Sequence, residues 1–173
     1  MARNIEIKAR IDDRESLLRA VVAVADDGPY EIRQHDTFFA CAEGRLKLRD
    51  FGDASGELIF YRRADAAGPK PSFYRRTATD DPAGLRQTLA DALGVLGEVI
   101  KTRMLFMAGR TRIHIDRVQG LGDFVELEVV LAEREPENAG QAEAAALMRA
   151  LAIDDASLVE GAYMDLLIAR RGP

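Results

Sequence analysis

The chain has 173 residues, of which 47% are apolar and 31% are charged, and its formal net charge is -5. A length of this order supports one domain with its own hydrophobic core, so we expect a single domain spanning residues 1–173. The acidic balance argues against a general nucleic-acid-binding protein or a membrane-surface protein, because both classes are usually basic.

The first half of the chain is predicted to be rich in strands. Residues 4–11 alternate between apolar and polar side chains, which predicts a strand with one apolar face. Asp12 and Asp13 are helix-start signals, and the spacing of the apolar residues that follow predicts a helix stopped by Gly28-Pro29. Four further strands are predicted over residues 31–40, 45–51, 57–63 and 72–79.

The second half mixes helices and strands. Asp81 and Pro82 predict the start of a helix that ends at Gly94. Three strands are predicted over residues 98–106, 110–118 and 124–131, then a helix over 138–151 and a last helix capped by Ser157. Eight strands and four helices indicate an α+β fold, an eight-stranded antiparallel β-barrel with helices packed on the outside.

Cationic side chains recur at every second position on the predicted strands. They are Lys8 with Arg10, then Arg45, Lys47 and Arg49, then Arg63, then Lys101 with Arg103, and Arg110 with Arg112. Residues two apart on a strand share a face, so the barrel would be inside-out, with charges lining a wet lumen. A solvated sheet face would explain any one strand, but five such strands in an acidic protein predict a bound polyanion. Triphosphate is the natural small candidate, because lysine and arginine bind its oxygens strongly.

Carboxylates on the same strands predict a metal. Glu6 lies on the charged face of the first strand, and Glu126 and Glu128 share a face of the last strand. Mg²⁺ and Mn²⁺ prefer oxygen ligands and are commonly shared between carboxylates and substrate phosphates. The alternative for Glu126 and Glu128 is a pair of solvated or arginine-paired carboxylates.

The sequence indicates the roles of Asp116 and the two histidines less specifically than those of the cations and glutamates. Asp116 shares a face with Arg112 and His114, which leaves three roles open: a general base, a metal ligand, or an ion-pair partner that orients Arg112. For His114 and His35 we predict structural roles, because no serine or cysteine partner accompanies them.

The sequence carries no signal for a membrane or an oxidising compartment. No run of about 18 apolar residues is present, and the N-terminal residues lack the apolar core of a signal peptide. Cys41 is the only cysteine, so it cannot form an intrachain disulfide, and we expect it to be a small buried apolar residue. These features predict a cytoplasmic protein.

The motifs in chain order are Asn4-Ile5-Glu6-Ile7-Lys8, Asp36-Thr37-Phe38-Phe39, Gly44-Arg45-Leu46-Lys47-Leu48-Arg49, and the stretch from Arg112 through Asp116 and Gly120-Leu121-Gly122 to Glu126-Leu127-Glu128. Together they resemble the CYTH family, also called triphosphate tunnel metalloenzymes, and the first matches its ExExK motif. The spacing is most similar to the class IV adenylate cyclase branch, including Tyr61 with Arg63, Lys70 in a Gly-Pro-Lys turn, Lys101 with Arg103, and Tyr163.

The resemblance implies an eight-stranded tunnel that binds a triphosphate with Mg²⁺ or Mn²⁺. By position, the phosphate-binding residues would be Lys8, Lys47, Arg49, Arg63, Lys101, Arg103 and Arg112, with Lys70 as a loop-borne addition, and the metal ligands Glu6, Glu126 and Glu128. Asn4 stands where the family motif has Glu, and its amide oxygen would be a weaker metal ligand because it lacks a charge. Lys8, Arg112 and Asp116 are the residues expected to take part in catalysis.

Three functions follow from the resemblance. The leading expectation is cyclisation of ATP to cyclic AMP and pyrophosphate. The alternative is hydrolysis of inorganic triphosphate or thiamine triphosphate. The third is a non-catalytic module that binds a nucleotide or polyphosphate, which Asn4 would favour. We expect a monomer or a homodimer that binds no nucleic acid and no membrane.

Overall fold

The structure of the protein is a computed structural model that describes residues 2–63 and 68–171. Its elements are β1 (Ala2–Arg10), α1 (Arg14–Val24), β2 (Asp27–Phe39), β3 (Arg45–Asp50), β4 (Gly56–Arg63), β5 (Lys70–Thr79), α2 (Pro82–Leu93), β6 (Val95–Ala108), β7 (Thr111–Val118), β8 (Gly122–Val130), α3 (Glu137–Ala150) and α4 (Tyr163–Arg171). A single 3-10 turn, Asp155–Ser157, follows α3. The eight predicted strands and four predicted helices are present, and most of their ends are shifted by a few residues. α1 ends at Val24, before Gly28-Pro29, which lies in β2.

The strands form a closed antiparallel ring in the order β1-β5-β4-β3-β2-β6-β7-β8. β1 closes the ring, because it pairs with β5 on one side and with β8 on the other. A closed ring leaves no strand with unpaired backbone groups along an edge. The α+β fold with an eight-stranded antiparallel barrel is therefore confirmed. None of the helices in the described ranges combines the length and the apolarity needed to cross a bilayer.

The main hydrophobic core lies outside the barrel wall. Alternation along the strands directs one set of side chains outward, including the fully buried Ile7, Ile113 and Leu127. These residues pack against Val21 of α1 and Met148 of α3. Because the outer layer holds this apolar core, the inward faces of the same strands are left for polar side chains.

Local capping explains two of the helix starts. The backbone N–H of Ser16 donates to Asp13 Oδ1 (3.0 Å) at the start of α1, as the sequence predicts. At the start of α2, the N–H of Gly84 donates to Asp81 Oδ1 (2.9 Å), and Pro82 occupies the first turn. Each aspartate satisfies a backbone donor that has no partner within its own helix.

The prediction that Ser157 caps the last helix is wrong. Ser157 lies in the 3-10 turn, and α4 begins six residues later, at Tyr163. Between them the chain extends along β1, where the N–H of Val159 donates to the carbonyl of Lys8 (2.9 Å) and Leu158 bridges to Ala9. Backbone groups used in this long-range pairing are unavailable for a helix.

α4 lies across one end of the barrel. Its residues Tyr163 and Met164 pack in a buried cluster with Val99 and Phe124 of the wall. The approach to β6 is close, because a Cβ at Gly97 would clash with Cε of Met164. A larger residue at position 97 would therefore require the Met164 side chain to shift.

The external core is testable through one of its isoleucines. We expect Ile113→Ala to lower the free energy of unfolding by about 2–5 kcal/mol, because it leaves a cavity between the barrel wall and the helices. Ile100 lies in β6 and is 45% exposed, so Ile100→Ala should cost about 1 kcal/mol or less. Equal losses in chemical denaturation of the two variants would contradict this assignment of the core.

Candidate functional site

Inward-facing side chains from all eight strands line a cavity of about 300 Å³. Its lining includes seven cations, Lys8, Lys47, Arg49, Arg76, Lys101, Arg103 and Arg112, and five carboxylates, Glu6, Asp36, Glu57, Glu126 and Glu128. The cavity lining therefore carries a formal charge of +2 in a chain whose net charge is -5. This local excess of positive charge favours an anion inside the barrel.

Asp116 holds two of these cations from beneath the cavity lining. It is 0% exposed and accepts hydrogen bonds from Arg103 Nε (2.7 Å), Arg103 Nη2 (2.6 Å), Lys101 Nζ (3.2 Å) and the Tyr163 hydroxyl (3.0 Å). Burial alone would raise the pKa of Asp116, but Arg103 and Lys101 outweigh it and hold that pKa well below its usual range. A carboxylate so firmly ionised is a poor general base.

The partners of Asp116 differ from the predicted one. We considered an ion pair between Asp116 and Arg112, which lie on the same strand face, but Arg112 Nη1 instead lies 3.3 Å from Glu128 Oε2. The cross-strand register explains the difference, because Arg103 is directly opposite Asp116 and Glu128 is directly opposite Arg112. The role of orienting Arg112 is therefore contradicted, and Asp116 is instead the ion-pair partner of Lys101 and Arg103.

Asp36 organises a second pair of cations. Its carboxylate accepts from Lys47 Nζ (2.6 Å) and, at both oxygens, from Arg49 (2.7 and 2.9 Å). Burial, with Arg49 adding to it, lowers the pKa of Lys47 to about 7, although Asp36 acts in the opposite direction. The sequence patterns assign no role to Asp36. Two signals were available: Asp36 begins one of the motifs that carry the family resemblance, and strand alternation places it on one face with Gln34 and Phe38.

Lys8 and Glu126 link the first and last strands inside the barrel. Lys8 Nζ lies 3.3 Å from Glu126 Oε1, donates to the Gly161 carbonyl (3.0 Å), and lies 4.1 Å from the centre of the Tyr163 ring. The other carboxylate oxygen of Glu126 accepts from Arg103 (2.5 Å). Burial alone would raise the pKa of Glu126, but Lys8 and Arg103 outweigh it and hold that pKa well below its usual range.

Tyr163 closes the end of the cavity beside Lys8. Its ring is buried, meets Phe124 edge to face with 5.0 Å between centres, and lies 4.8 Å from Lys101 Nζ. Burial, with Asp116 adding to it, raises the pKa of the Tyr163 phenol well above 10. The sequence singled out Tyr163 only through the family resemblance.

A potential metal site lies on β7 and β8. The potential ligand atoms of His114, Glu126 and Glu128 all lie within 4.8 Å of one another, which makes these the one such group among the described residues. Carboxylates at this spacing suit a divalent cation. Because the pKa of Glu126 is lowered, its carboxylate is already ionised and can bind a cation without first releasing a proton. Two of the three predicted metal ligands are therefore together, and the third member of the group is a histidine.

The remaining predicted residues lie at the edges of this group or outside it. Glu6 is directly opposite Glu128 across one strand pair and directly opposite Lys70 across the other. Asn4 is buried, and its Oδ1 has no hydrogen-bond partner in the structure. The prediction that Lys70 lies in a loop is wrong, because it begins β5 and is buried. Arg63 ends β4, and its side chain lies outside the described residues.

The buried pair network predicts a large effect at Asp116. We expect Asp116→Asn to lower the free energy of unfolding by about 3–5 kcal/mol, because it leaves buried cations without their counter-charge. The matched control is Asp123→Asn, which removes the partner of the largely exposed Arg117 and should cost about 0–1 kcal/mol. Urea denaturation of both variants checks the difference, and similar losses would show that Asp116 is not the centre of a buried network.

The sequence matches a known protein family over most of its length. A family profile described as CYTH domain matches residues 2–163. Among curated proteins, no match is found.

Solved structures share the architecture. A protein from Pyrococcus horikoshii has a TM-score of 0.83 at 20% identity, covering 94% of this chain and 98% of that chain. A candidate adenylate cyclase from Vibrio parahaemolyticus has a TM-score of 0.78 at 18% identity, covering 95% and 97%. A candidate adenylyl cyclase from Hippeastrum, with a dominant triphosphatase activity, has a TM-score of 0.65 at 17% identity, covering 98% and 96%. At these identities the likenesses show the fold alone.

Proposed function

Because the chain belongs to the CYTH family, whose members are enzymes that act on triphosphates, we propose that its cavity binds ATP with Mg²⁺ or Mn²⁺ and converts it to cyclic AMP and pyrophosphate. The observation that carries the proposal is the convergence of seven cations and a metal-capable carboxylate pair on one cavity. The cations suit the phosphate groups of a metal-triphosphate complex, and the carboxylates suit its metal ion.

The phosphate-binding cations are already oriented before an anion binds. Asp36 accepts two of the five N–H donors of Arg49. Arg103 is held in the same way by Asp116. The donors that remain are available to phosphate oxygens, and their positions are fixed by carboxylates that stay ionised. Such preorganisation reduces the reorganisation that binding and charge development require.

Arg112 has a different environment. Its side chain is 28% exposed, and its contact with Glu128 is longer than the bonds within the two aspartate networks. A guanidinium with this weaker contact can engage an incoming phosphate at little expense to existing bonds. We place Arg112, with Lys8, among the residues that contact the triphosphate directly.

The residues on β8 fit the metal. Glu126 and Glu128 offer oxygen atoms to one point of the cavity, and neighbouring cations lower the pKa of Glu126 despite its burial. A divalent ion bound there would neutralise charge on the phosphate oxygens. Glu6, directly opposite Glu128, and Asn4 on the same strand face would complete the oxygen set on β1.

The reaction asks for little covalent chemistry from the protein. In cyclisation, the oxygen of the ribose 3′-hydroxyl bonds to the α-phosphorus and its proton is released to solvent, while the bond from the α-phosphorus to the pyrophosphate oxygen breaks in line with it. Lys8, Arg49 and Arg103 would neutralise the charge that develops on the departing pyrophosphate. Asp116 acts by positioning Lys101 and Arg103.

Hydrolysis of the terminal phosphate is the second candidate. The same cationic lining would serve water attack on inorganic triphosphate or thiamine triphosphate. The Hippeastrum protein, a candidate adenylyl cyclase that shares the fold, has a dominant triphosphatase activity, and this favours hydrolysis as the alternative. A non-catalytic binding module remains the third.

One product assay separates the candidates. Purified protein is incubated with ATP, inorganic triphosphate and thiamine triphosphate, each with Mg²⁺ or Mn²⁺, and cyclic AMP, pyrophosphate and orthophosphate are measured. We expect cyclic AMP and pyrophosphate from ATP, without orthophosphate. Orthophosphate as the only product would contradict cyclisation and support hydrolysis. Binding without any product would leave only the non-catalytic binding module.

An arginine pair tests where the triphosphate binds. We expect Arg49→Ala to weaken triphosphate binding by about tenfold or more, because charge-assisted bonds to phosphate are each worth about 1.5–3 kcal/mol. Arg117→Ala removes an exposed arginine of the outer surface that pairs with Asp123, and it should leave the affinity unchanged. Calorimetric titration measures both variants, and equal affinities would contradict a site inside the barrel.

The lowered pKa of Lys47 makes binding pH-dependent. At about pH 8 its amine is mostly neutral, because its pKa is about 7. A bound phosphate favours the ammonium form, so binding should draw a proton onto Lys47. At about pH 6 the amine is already protonated, and this uptake should vanish.

Calorimetry in buffers with different ionisation heats measures the uptake, with inorganic triphosphate as the ligand and EDTA present. Lys47→Arg keeps a permanent charge and serves as the control. The difference between the two proteins isolates Lys47, since the triphosphate exchanges protons of its own. No difference at about pH 8 would contradict a neutral Lys47.

A further inference from the structure

His114 is a buried imidazole whose Nδ1 lacks a hydrogen-bond partner. The residue is 4% exposed, and its Nδ1 has no hydrogen-bond partner in the structure. Buried polar atoms are nearly always paired, so an unpaired nitrogen at this position requires an explanation. Its neighbours supply one.

The Nδ1 atom lies almost equally far from two carboxylates of the adjacent strand. It is 3.8 Å from Glu126 Oε2 and 3.7 Å from Glu128 Oε1. Both separations exceed the range of an N–H···O hydrogen bond. They fall between the two spacings expected around one cation with ligand atoms at about 2.1 Å, which are about 3 Å for neighbouring ligands and about 4.2 Å for opposite ones. The imidazole and both carboxylates are therefore near enough to share one ion.

We propose that His114 is a nitrogen ligand of the divalent metal and makes the site prefer Mn²⁺ to Mg²⁺. Mg²⁺ demands oxygen ligands in near-ideal octahedral geometry, whereas first-row transition metals accept an imidazole nitrogen. The proposal rests on the metal dependence stated under Proposed function and adds a ligand to it.

The neighbouring polar residues agree with a mixed nitrogen and oxygen site. Arg103 and Lys8 already contact both oxygens of Glu126, so this carboxylate is partly occupied. His114 on β7 supplies a third ligand, which compensates for the contacts that Glu126 already makes with Arg103 and Lys8. Asn4 brings no charge to the opposite strand, where the family motif has a glutamate, and a neutral imidazole adds affinity for a transition metal without adding charge.

The direct test is pulsed electron paramagnetic resonance of Mn²⁺ bound to the untagged full chain. The chain contains two histidines, His35 and His114, so labelling histidine with ¹⁵N identifies any coupled imidazole without a substitution. We expect ¹⁴N modulation of the Mn²⁺ signal in unlabelled protein and its replacement by ¹⁵N coupling in labelled protein. Absence of nitrogen coupling would overturn the proposal.

Two variants assign the coupling to one residue. His114→Gln should abolish it, and His35→Gln should preserve it, because His35 contacts Glu98 and does not line the cavity. The opposite result would overturn the proposal. The proposal would also be overturned if the protein bound no Mn²⁺ when Mn²⁺ is supplied at millimolar concentration, both with and without inorganic triphosphate.

Metal affinities distinguish a ligand from a structural residue. Even residues that support a metal ligand change affinity by about 10–100-fold when removed, so His114→Gln should weaken Mn²⁺ binding at least about tenfold. The loss of Mg²⁺ affinity should be clearly smaller. An equal loss for both ions, or a wild-type protein that binds Mg²⁺ more tightly than Mn²⁺, would overturn the proposal. Thermal unfolding checks that the variant is folded, and the isotope experiment needs no variant.

Failure of this proposal and failure of the proposed function give different results. Turnover of a triphosphate with Mn²⁺ but without nitrogen coupling would leave the function standing and remove His114 from the metal. Nitrogen coupling without turnover would support His114 as a metal ligand and contradict the proposed enzyme activity.

Discussion

The pairing of buried charges is the constraint on which the structure depends. An isolated charge inside a protein is strongly unfavourable, so each buried cation needs a counter-charge within reach. Asp116 supplies it for Lys101 and Arg103, and Asp36 supplies it for Lys47 and Arg49. A lumen full of cations is therefore possible because carboxylates on neighbouring strands hold them.

This polar interior is compatible with a stable fold because the apolar core lies elsewhere. Ile113 and Leu127 face outward beneath α1 and α3, and the closed ring satisfies the backbone of the wall. The two layers divide the tasks: the outer layer supplies hydrophobic stabilisation, and the inner layer supplies a positively charged cavity. Each task depends on the same alternation along the strands, since a shift by one residue would exchange the two faces.

Short-range patterns in the sequence were sufficient for the number and order of the strands and helices and for the face of most inward charges, although Arg110 lies in the turn before β7 and pairs with Glu135 and Glu143. The alternation around Lys8 and Glu126 predicted inward charges, and Asp13 and Asp81 predicted helix starts, because these signals act over a few residues. Long-range contacts were not predictable in the same way. Ser157 failed as a cap because the following residues pair with β1, and Cys41, expected to be buried, is exposed.

In the candidate site, too, the strand face of a residue was predictable from the sequence, whereas its partner on another strand was not. Residue spacing placed Arg112, His114 and Asp116 on one strand face, but the partner of each depends on cross-strand register, which spacing along one strand does not contain. That register pairs Arg103 with Asp116. His114 was predicted to be structural because no serine or cysteine partner accompanies it, and its carboxylate neighbours Glu126 and Glu128 become visible only when β7 and β8 are placed side by side.

The pairing of β1 with β8 also determines when the site can exist during folding. β1 (Ala2–Arg10) and β8 (Gly122–Val130) are far apart along the chain, and their contact brings Lys8 to Glu126. Contacts between distant segments are slow to form, because the entropy of closing a long loop is lost before the contact is gained. A chain in which β1 has not paired with β8 has neither a closed wall nor the contact between Lys8 and Glu126.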